Sequence, residues 1–453
     1  MENNLDSNRK KARAYVLGGG VMGLGAADQL LRAGYEVILF EADKKLGGLA
    51  GMTILGGFQI EKHYHFVYWG DEKNIQNFFI TNGAGGTINW RTLKNALWYQ
   101  GKLQSIDNPV AILLSSMFKV TDKINFIKAF FKIHLTKKKD LAGIRAIDWL
   151  KKTFSSRLYH ILWEPLLNMK FQEDKETLAA DWIFTRLKYH TASKRPFNFG
   201  LTFGFITDTY QPLFEKITER ITQQGRVHTG TPVKRIQIEN GYVTAIKTPT
   251  GLCVVEPTEP VLSCVPLPIL SQILSGAPQA VSKMLALYQM LDVIDICFLA
   301  DRSISPYFWI NIGDDQAPFT VVIEFSRLTG TERFGGKHLI YLSRYHKKTN
   351  NEQAERSDEA IKDIYFQYLK KIFPCFNEKS VIAWQVTKSQ NAAPSFFEDY
   401  IHNLPPRHFS EIENLYIGSA SHIYPLDRGT GNSIRIGADL VQRYIQETTV
   451  RNQ

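Results

Sequence analysis

The sequence predicts an α/β fold: a parallel-stranded domain assembled from three separate stretches of chain, with a second domain filling the gaps between them. Three observations carry this expectation. Residues 14–41 run strand, glycine turn, helix, strand, a βαβ unit. Strand signals return at residues 226–265 and again at 414–418, the last followed by a closing helix. At 453 residues the chain is too long for one ordinary core.

In order, residues 14–17 form a buried strand that runs into Gly18, Gly19 and Gly20, and residues 21–33 carry helical periodicity that stops at Gly34. Residues 36–41 are the next strand, and 58–70 are extended and aromatic. From 72 to 224 the pattern is mostly helical, with amphipathic stretches rich in Trp, Phe and Lys. The strands of 226–265 are punctuated by hairpin turns at Asn240-Gly241 and Thr250-Gly251. Residues 293–299, 320–325, 338–345 and 381–387 are candidate strands, with one helix near 357–373. The chain closes on strand 414–418, a glycine-rich loop and a helix over 433–446.

Composition narrows the function classes. Apolar residues at 44% and charged residues at 22% are ordinary for a soluble globular protein. The net charge of +10 comes without a nucleic-acid-binding module, and its basic residues are scattered apart from Arg9-Lys10-Lys11 and Lys137-Lys138-Lys139. Solvated surface, not nucleic acid, is the expected partner of that charge. The four cysteines (Cys253, Cys264, Cys297, Cys375) form no CxxC pair, which fits a reducing compartment without a disulfide framework or zinc site. The eleven histidines show no HxxxH spacing, and no metal site is expected. Residues 1–13 are polar, and no apolar run approaches the ~18 residues that span a bilayer. A cytoplasmic protein is expected, with a peripheral position on the inner face of a membrane as the alternative. Nothing in the sequence specifies an oligomeric state.

The chemistry is carried first by Gly18-x-Gly20-x-x-Gly23 between a strand and a helix. Gly18 permits the tight turn, Gly20 lets backbone approach a pyrophosphate, and Gly23 allows close helix–strand packing. Val21 and Met22 place the helix N-terminus against the phosphates. Glu41 ends the second strand eighteen residues after Gly23, with Ala42 next to it. Its carboxylate can accept hydrogen bonds from an adenosine ribose and disfavours a 2′-phosphate. NAD and FAD share this Rossmann-like fingerprint. A few residues beyond Ala42 stands Gly47-Gly48-Leu49, a glycine pair that leaves the backbone there without a Cβ.

Glycine loop, carboxylate and glycine pair in register resemble the FAD signature of the amine oxidase, protoporphyrinogen oxidase and phytoene desaturase superfamily, which UDP-galactopyranose mutase shares. The resemblance implies FAD and a two-dinucleotide-binding-fold domain. That domain would comprise residues 1–70, 225–290 and 405–453. A substrate domain of 71–224 and 291–404 would combine a helical cap with a mixed, largely antiparallel sheet. It implies that Val233 meets the adenine, and that Gly418, Ser419, Asn432, Ser433 and Ile434 approach the flavin at a helix N-terminus. Ser419 stands where the family usually has an acidic residue, and Asp427 is the substitute.

In the same superfamily the segment after the glycine pair lies beside the flavin. If that strand alternates, Glu61, His63 and His65 share one face, and His63 and His65 are candidate proton-transfer groups. Arg428 is a third candidate catalytic residue. The function implied is an FAD-dependent oxidoreductase accepting a hydride from a lipophilic small molecule. The alternative is a flavin-dependent nucleotide-sugar mutase using Arg186, Arg344 and Arg428 as phosphate ligands, and a non-catalytic flavoprotein is the third class. Residues 110–135 are apolar and basic, with Asp122 their only acid. On a helix Val120, Ile124, Ile127, Phe131 and Leu135 align, and the expectation is that this stripe packs inward with the lysines solvated, membrane-surface association being the alternative.

Overall fold

The structure is a computed structural model that describes residues 11–68, 71–106, 109–192, 201–348, 352–426 and 428–451. It is a mixed α and β protein. A five-stranded, wholly parallel sheet holds strands Leu415–Ile417, Val261–Ser263, β1 (Arg13–Leu17), β2 (Glu36–Phe40) and Arg226–His228 in that spatial order. Tyr15 sits beside both Val261 and Ile38, and Leu262 beside Tyr416. Side chains alternate across the sheet. Ala14, Val16, Val37 and Leu39 pack on one face with helix α1 (Val21–Arg32) and the C-terminal helix Thr430–Arg451. Tyr15, Leu17, Ile38 and Phe40 join the larger cluster on the other face. Burial on both faces explains why these strands read as unbroken apolar runs.

α1 and the C-terminal helix approach closely because Gly437 has no side chain: a Cβ there would lie 2.1 Å from the Met22 carbonyl oxygen. Buried Asp28 on α1 is held by Arg220 at 2.5 Å and Arg32 at 2.9 Å, tying α1 to helix Gln211–Gln224. The Asn240-Gly241 hairpin forms as read, both residues taking the positive φ that a type I′ turn requires (51° and 79°).

The largest sheet has seven strands in the order Val381–Pro394, Met290–Ala300, His338–His346, Val321–Glu324, Trp309–Gly313, Asn95–Tyr99 and Lys102–Ser105. All its pairs are antiparallel except Trp309–Gly313 with Asn95–Tyr99. Residues 72–224 are mostly helical, as expected, but two of these strands and the pair Ile88–Leu93 and Leu201–Ile206 lie within them and were not foreseen. The missed hairpin turns at Gln100 and Gly101, both at positive φ, where no Asn or Asp signals the turn. Strand Trp309–Gly313 was likewise not foreseen.

Helices Val120–Leu135, Ala146–Phe154, Glu164–Phe171 and Ala180–Ala192 make the helical part, with a π-helical turn at Tyr159–Trp163. Here the expected orientation of the first is overturned. Its inward stripe is Asp122, Phe126, Ala129 and Ile133, with Asp122 paired to Arg157 at 2.9 Å. Val120, Ile124, Ile127, Phe131 and Leu135 face outward and are exposed. Among the described residues no helix is long and apolar enough to cross a membrane.

Candidate functional site

A cavity of about 880 Å³ runs from the glycine turn after β1 to the helical part and the seven-stranded sheet. One end is built from the two glycine elements. Gly47 N–H donates to the Gly19 carbonyl at 2.8 Å, which lays Gly48 against Gly20. A Cβ on Gly48, whose φ is +56°, would lie 3.1 Å from the Gly20 Cα. The N–H groups of Gly18, Gly19 and Gly47 are bonded to Phe40, Glu41 and Gly19, so what this end of the cavity offers a pyrophosphate is bare glycine backbone at the N-terminus of α1.

Of the residues expected to hold the cofactor, Gly18, Gly20, Val21, Met22, Glu41, Ala42, Gly47, Gly48, Leu49, Val233, Ser419 and Ser433 line this cavity. Gly23 does not; it packs on the turn, where a Cβ would lie 1.9 Å from the Gly18 carbonyl oxygen. Gly418, Asn432 and Ile434 also lie behind the lining, and the Ile434 backbone abuts α1 at Gly25. Asp427 lies outside the described residues, as do Arg9 and Lys10. The Glu41 carboxylate accepts the N–H of Gly19 at 2.6 Å and of Asp43 at 2.8 Å. Burial raises its proton affinity against the pull of those two donors. Each of its oxygens keeps a second lone pair for a ribose hydroxyl.

The strand that was to carry Glu61, His63 and His65 on one face ends at Glu61, so the shared face does not form. Glu61 pairs with Arg333 at 3.1 Å, while His63 and His65 both reach the cavity. His63 Nδ1 lies 2.6 Å from Asp295 Oδ2, and its Nε2 lies 2.8 Å from Ser389 Oγ. A carboxylate accepts, so Nδ1 carries the proton and Nε2 receives the Ser389 hydroxyl. His65 donates its Nδ1–H to the His63 carbonyl at 2.7 Å, and burial lowers its pKa to about 4, leaving it neutral. Arg428 lines the cavity but donates to the Ala392 carbonyl and the Tyr345 hydroxyl, with its guanidinium 5.2 Å above the Tyr345 ring. Arg186 also lines the cavity, stacked on Trp182, whereas Arg344 donates to the Ala317 carbonyl and lies outside the lining.

Sequence reasoning missed Asp295, Ser389 and Asp71. Asp295 was marked, in hindsight, by being a carboxylate inside a strand whose eleven residues are all buried. Ser389 had no such signal. It reaches the cavity because a bulge interrupts the pairing of Val381–Pro394 with Met290–Ala300, with Asn391 at φ 52° and its N–H held by Asp292 at 2.7 Å.

Asp71 is buried at the start of the C-terminal helix, accepting the Gly431 N–H at 3.2 Å. Burial pushes its pKa from 3.8 up to about 6 in spite of that donor. Between about pH 4 and 6 the folded protein therefore keeps a proton that the unfolded chain has released. Stability falls as pH rises through this window and stays lowered above it. Asp71→Asn keeps an acceptor for Gly431 and is expected to add about 3 kcal/mol at pH 7.5 and well under about 1 kcal/mol at pH 4. Thermal melts of both proteins at the two pH values check this; an equal gain at both would exclude the ionisation as its source.

The fold and the cradle define a flavoprotein, and the chain belongs to the flavin-containing amine oxidoreductase family, whose sequence profile matches residues 23–423. FAD is its cofactor, in keeping with the side-chain-free glycine cradle. A carotenoid phi-ring synthase from Chlorobaculum tepidum is 25% identical over 267 residues, covering 52% of this chain and 39% of that protein. The chain thus spans well under half the length of the curated relative it matches. Among solved structures, a provisionally named protoporphyrinogen oxidase from Exiguobacterium sp. 255-15 superposes with a TM-score of 0.77 at 16% identity, over 97% of this chain and 100% of that one. Reduced UDP-galactopyranose mutase superposes with a TM-score of 0.75 at 14% identity, over 96% of each chain. At these identities the structures share the fold. Among the described residues no cluster of His, Cys, Asp and Glu is placed to hold a metal ion.

Proposed function

We propose that this flavin oxidoreductase removes a hydride and a proton from a lipophilic small molecule. The observation that carries the reading is the wall of the cavity beyond the glycine cradle, where Trp163, Leu166, Phe171, Trp182, Ile183 and Met290 present apolar surface. A substrate stripped of water there is held by its apolar area, at about 25 cal/mol per Å². The sequence likeness to a carotenoid ring synthase supports an isoprenoid among lipophilic candidates.

Residues 1–70, 225–290 and 405–453 are the segments we assign to FAD binding, and 71–224 and 291–404 to the substrate. Bound FAD supplies the two-electron acceptor. Gly20 and Gly48 would hold the pyrophosphate by backbone N–H groups, Gly18 and Gly47, whose N–H groups go to the Phe40 and Gly19 carbonyls, would shape the cradle, and Glu41 would hold the ribose. The substrate proton can pass through Ser389 Oγ to His63 Nε2 while Asp295 Oδ2 keeps the Nδ1–H oriented and balances the imidazolium that forms. His65, neutral and fixed by the His63 carbonyl, shapes the cavity without adding charge.

The test is anaerobic absorbance of the oxidised holoprotein mixed in turn with a detergent-dispersed isoprenoid hydrocarbon, a porphyrinogen, putrescine and UDP-galactose. Bleaching by an apolar member alone is the expected result. Bleaching by putrescine alone would replace the lipophilic substrate with an amine. A perturbation seen only in the reduced flavin, and only with UDP-galactose, would move the assignment to a mutase. Inertness towards every substrate would leave a carrier.

A further inference from the structure

Eight of the eighteen exposed large apolar side chains among the described residues fall between Val110 and Leu135. Five of them, Val120, Ile124, Ile127, Phe131 and Leu135, recur at three- and four-residue steps along the helix Val120–Leu135, so they form one outward stripe. Phe131 is 61% and Leu135 82% exposed. The opposite stripe, two residues out of phase, already supplies the helix's packing into the protein. The outward stripe is surplus to folding. Leaving so much apolar area in water is a cost that a protein bears where something covers it.

Charge identifies the cover. Residues 119–139 hold seven lysines against one acid, Asp122, which is buried and neutralised by Arg157. At 100° per residue, Lys119 and Lys123 border one side of the apolar stripe and Lys128 the other, while Lys132 beyond it donates to the Lys152 carbonyl at 2.7 Å. A second copy docked face to face would set these lysines against their own kind. Nucleic acid would use the lysines and leave the apolar stripe wet. An anionic bilayer satisfies both at once: acyl chains take the stripe to a depth of ~5–10 Å, and phosphate headgroups take the flanking ammonium groups.

We propose that the outward face of helix Val120–Leu135 docks this protein on the surface of an anionic phospholipid membrane. The helix lies in that surface without crossing it. Its inward face packs on Ala146–Phe154, which packs on Ala180–Ala192, and Trp182, Ile183 and Arg186 of that last helix line the cavity. The same helical layer therefore presents one side to lipid and the other to the site, which suits the substrate class proposed above. The docking rests on exposure and charge and stands independently of that class.

The experiment is sedimentation of the full-length holoprotein with sucrose-loaded vesicles of phosphatidylcholine alone, or mixed equally with phosphatidylglycerol, in 0.1 M NaCl. Partition is expected to be at least tenfold stronger on the mixed vesicles and to be lost in 0.5 M NaCl. Phe131→Ser with Leu135→Ser should weaken it tenfold or more. Lys123→Glu with Lys128→Glu should abolish the preference for phosphatidylglycerol. These side chains leave the cavity lining untouched, so flavin content should stay at the wild-type level and reports folding. No binding to mixed vesicles, or equal binding by both variants and wild type, overturns the proposal. So does a lipid-free dimer that the Phe131→Ser, Leu135→Ser pair turns into monomer, since a second copy would then be the cover. Partition is scored without turnover, so its failure and a failure of the redox assignment are told apart.

Discussion

Gly48→Val is expected to yield protein that purifies colourless, with flavin content at least tenfold below wild type. Two effects add at this position. The residue sits at φ +56°, where a β-branched side chain costs on the order of 1–3 kcal/mol. Its Cβ would also stand 3.1 Å from the Gly20 Cα, with the two γ-methyls projecting into the space proposed for the pyrophosphate. Backbone strain alone would lower stability without singling out the cofactor. Gly57→Ala separates the two: Gly57 has φ +86° and open space around a Cβ, so it suffers comparable strain away from the cradle. The prediction is that Gly57→Ala stays yellow and Gly48→Val does not. Equal flavin content in both would mean that the cradle does not hold the cofactor.

Asp295→Asn is expected to lower the rate of flavin reduction by about 10²-fold while leaving the flavin bound, the scale of a lost general-base contribution. The amide can still accept the His63 Nδ1–H, so the ring keeps its place, but it no longer balances charge on the imidazolium. His63→Ala should cost about as much. The double substitution should cost little more than either single one, because Asp295 acts only through His63. Single-turnover reduction by whichever substrate bleaches the flavin is the measurement. A rate within threefold of wild type for Asp295→Asn would remove this relay from the mechanism.

The parts of the molecule that could be read from the sequence are those in which a local rule decides the outcome. Gly18, Gly20, Glu41, Gly47 and Gly48 sit within thirty-one residues, and all five line the cavity. The roles proposed for them come from turn geometry and from the need for bare backbone. The set proposed to handle the proton is different. His63 was visible as a histidine beside a cofactor signature, but its partners come from strands more than two hundred residues away, and Ser389 depends on a bulge. Asp71 was hidden similarly, since only the folded chain brings it to Gly431.

The helix Val120–Leu135 shows a subtler limit. Periodicity located its apolar stripe correctly, and the helix extends over the residues expected. Periodicity does not say which of two stripes faces the protein. The stripe that packs on Ala146–Phe154 is the one with Phe126, Ala129, Ile133 and the paired Asp122.

The parallel sheet has a consequence for how this protein comes into being. Its strands are drawn from residues 13–40, 226–263 and 415–417, so β1 lacks its neighbour Val261–Ser263 until more than half the chain has been made. The outer strand Leu415–Ile417 arrives about 400 residues after β1. At roughly 5–20 residues per second, on the order of half a minute passes between synthesis of the first glycine turn and of the helix that packs over it. During that interval the βαβ unit is a pair of sticky edges with nothing to close it. The cavity wall contributed by Ser419 and Ser433 is therefore completed late, together with the sheet. Bound FAD then adds to the stability of the finished fold by mass action.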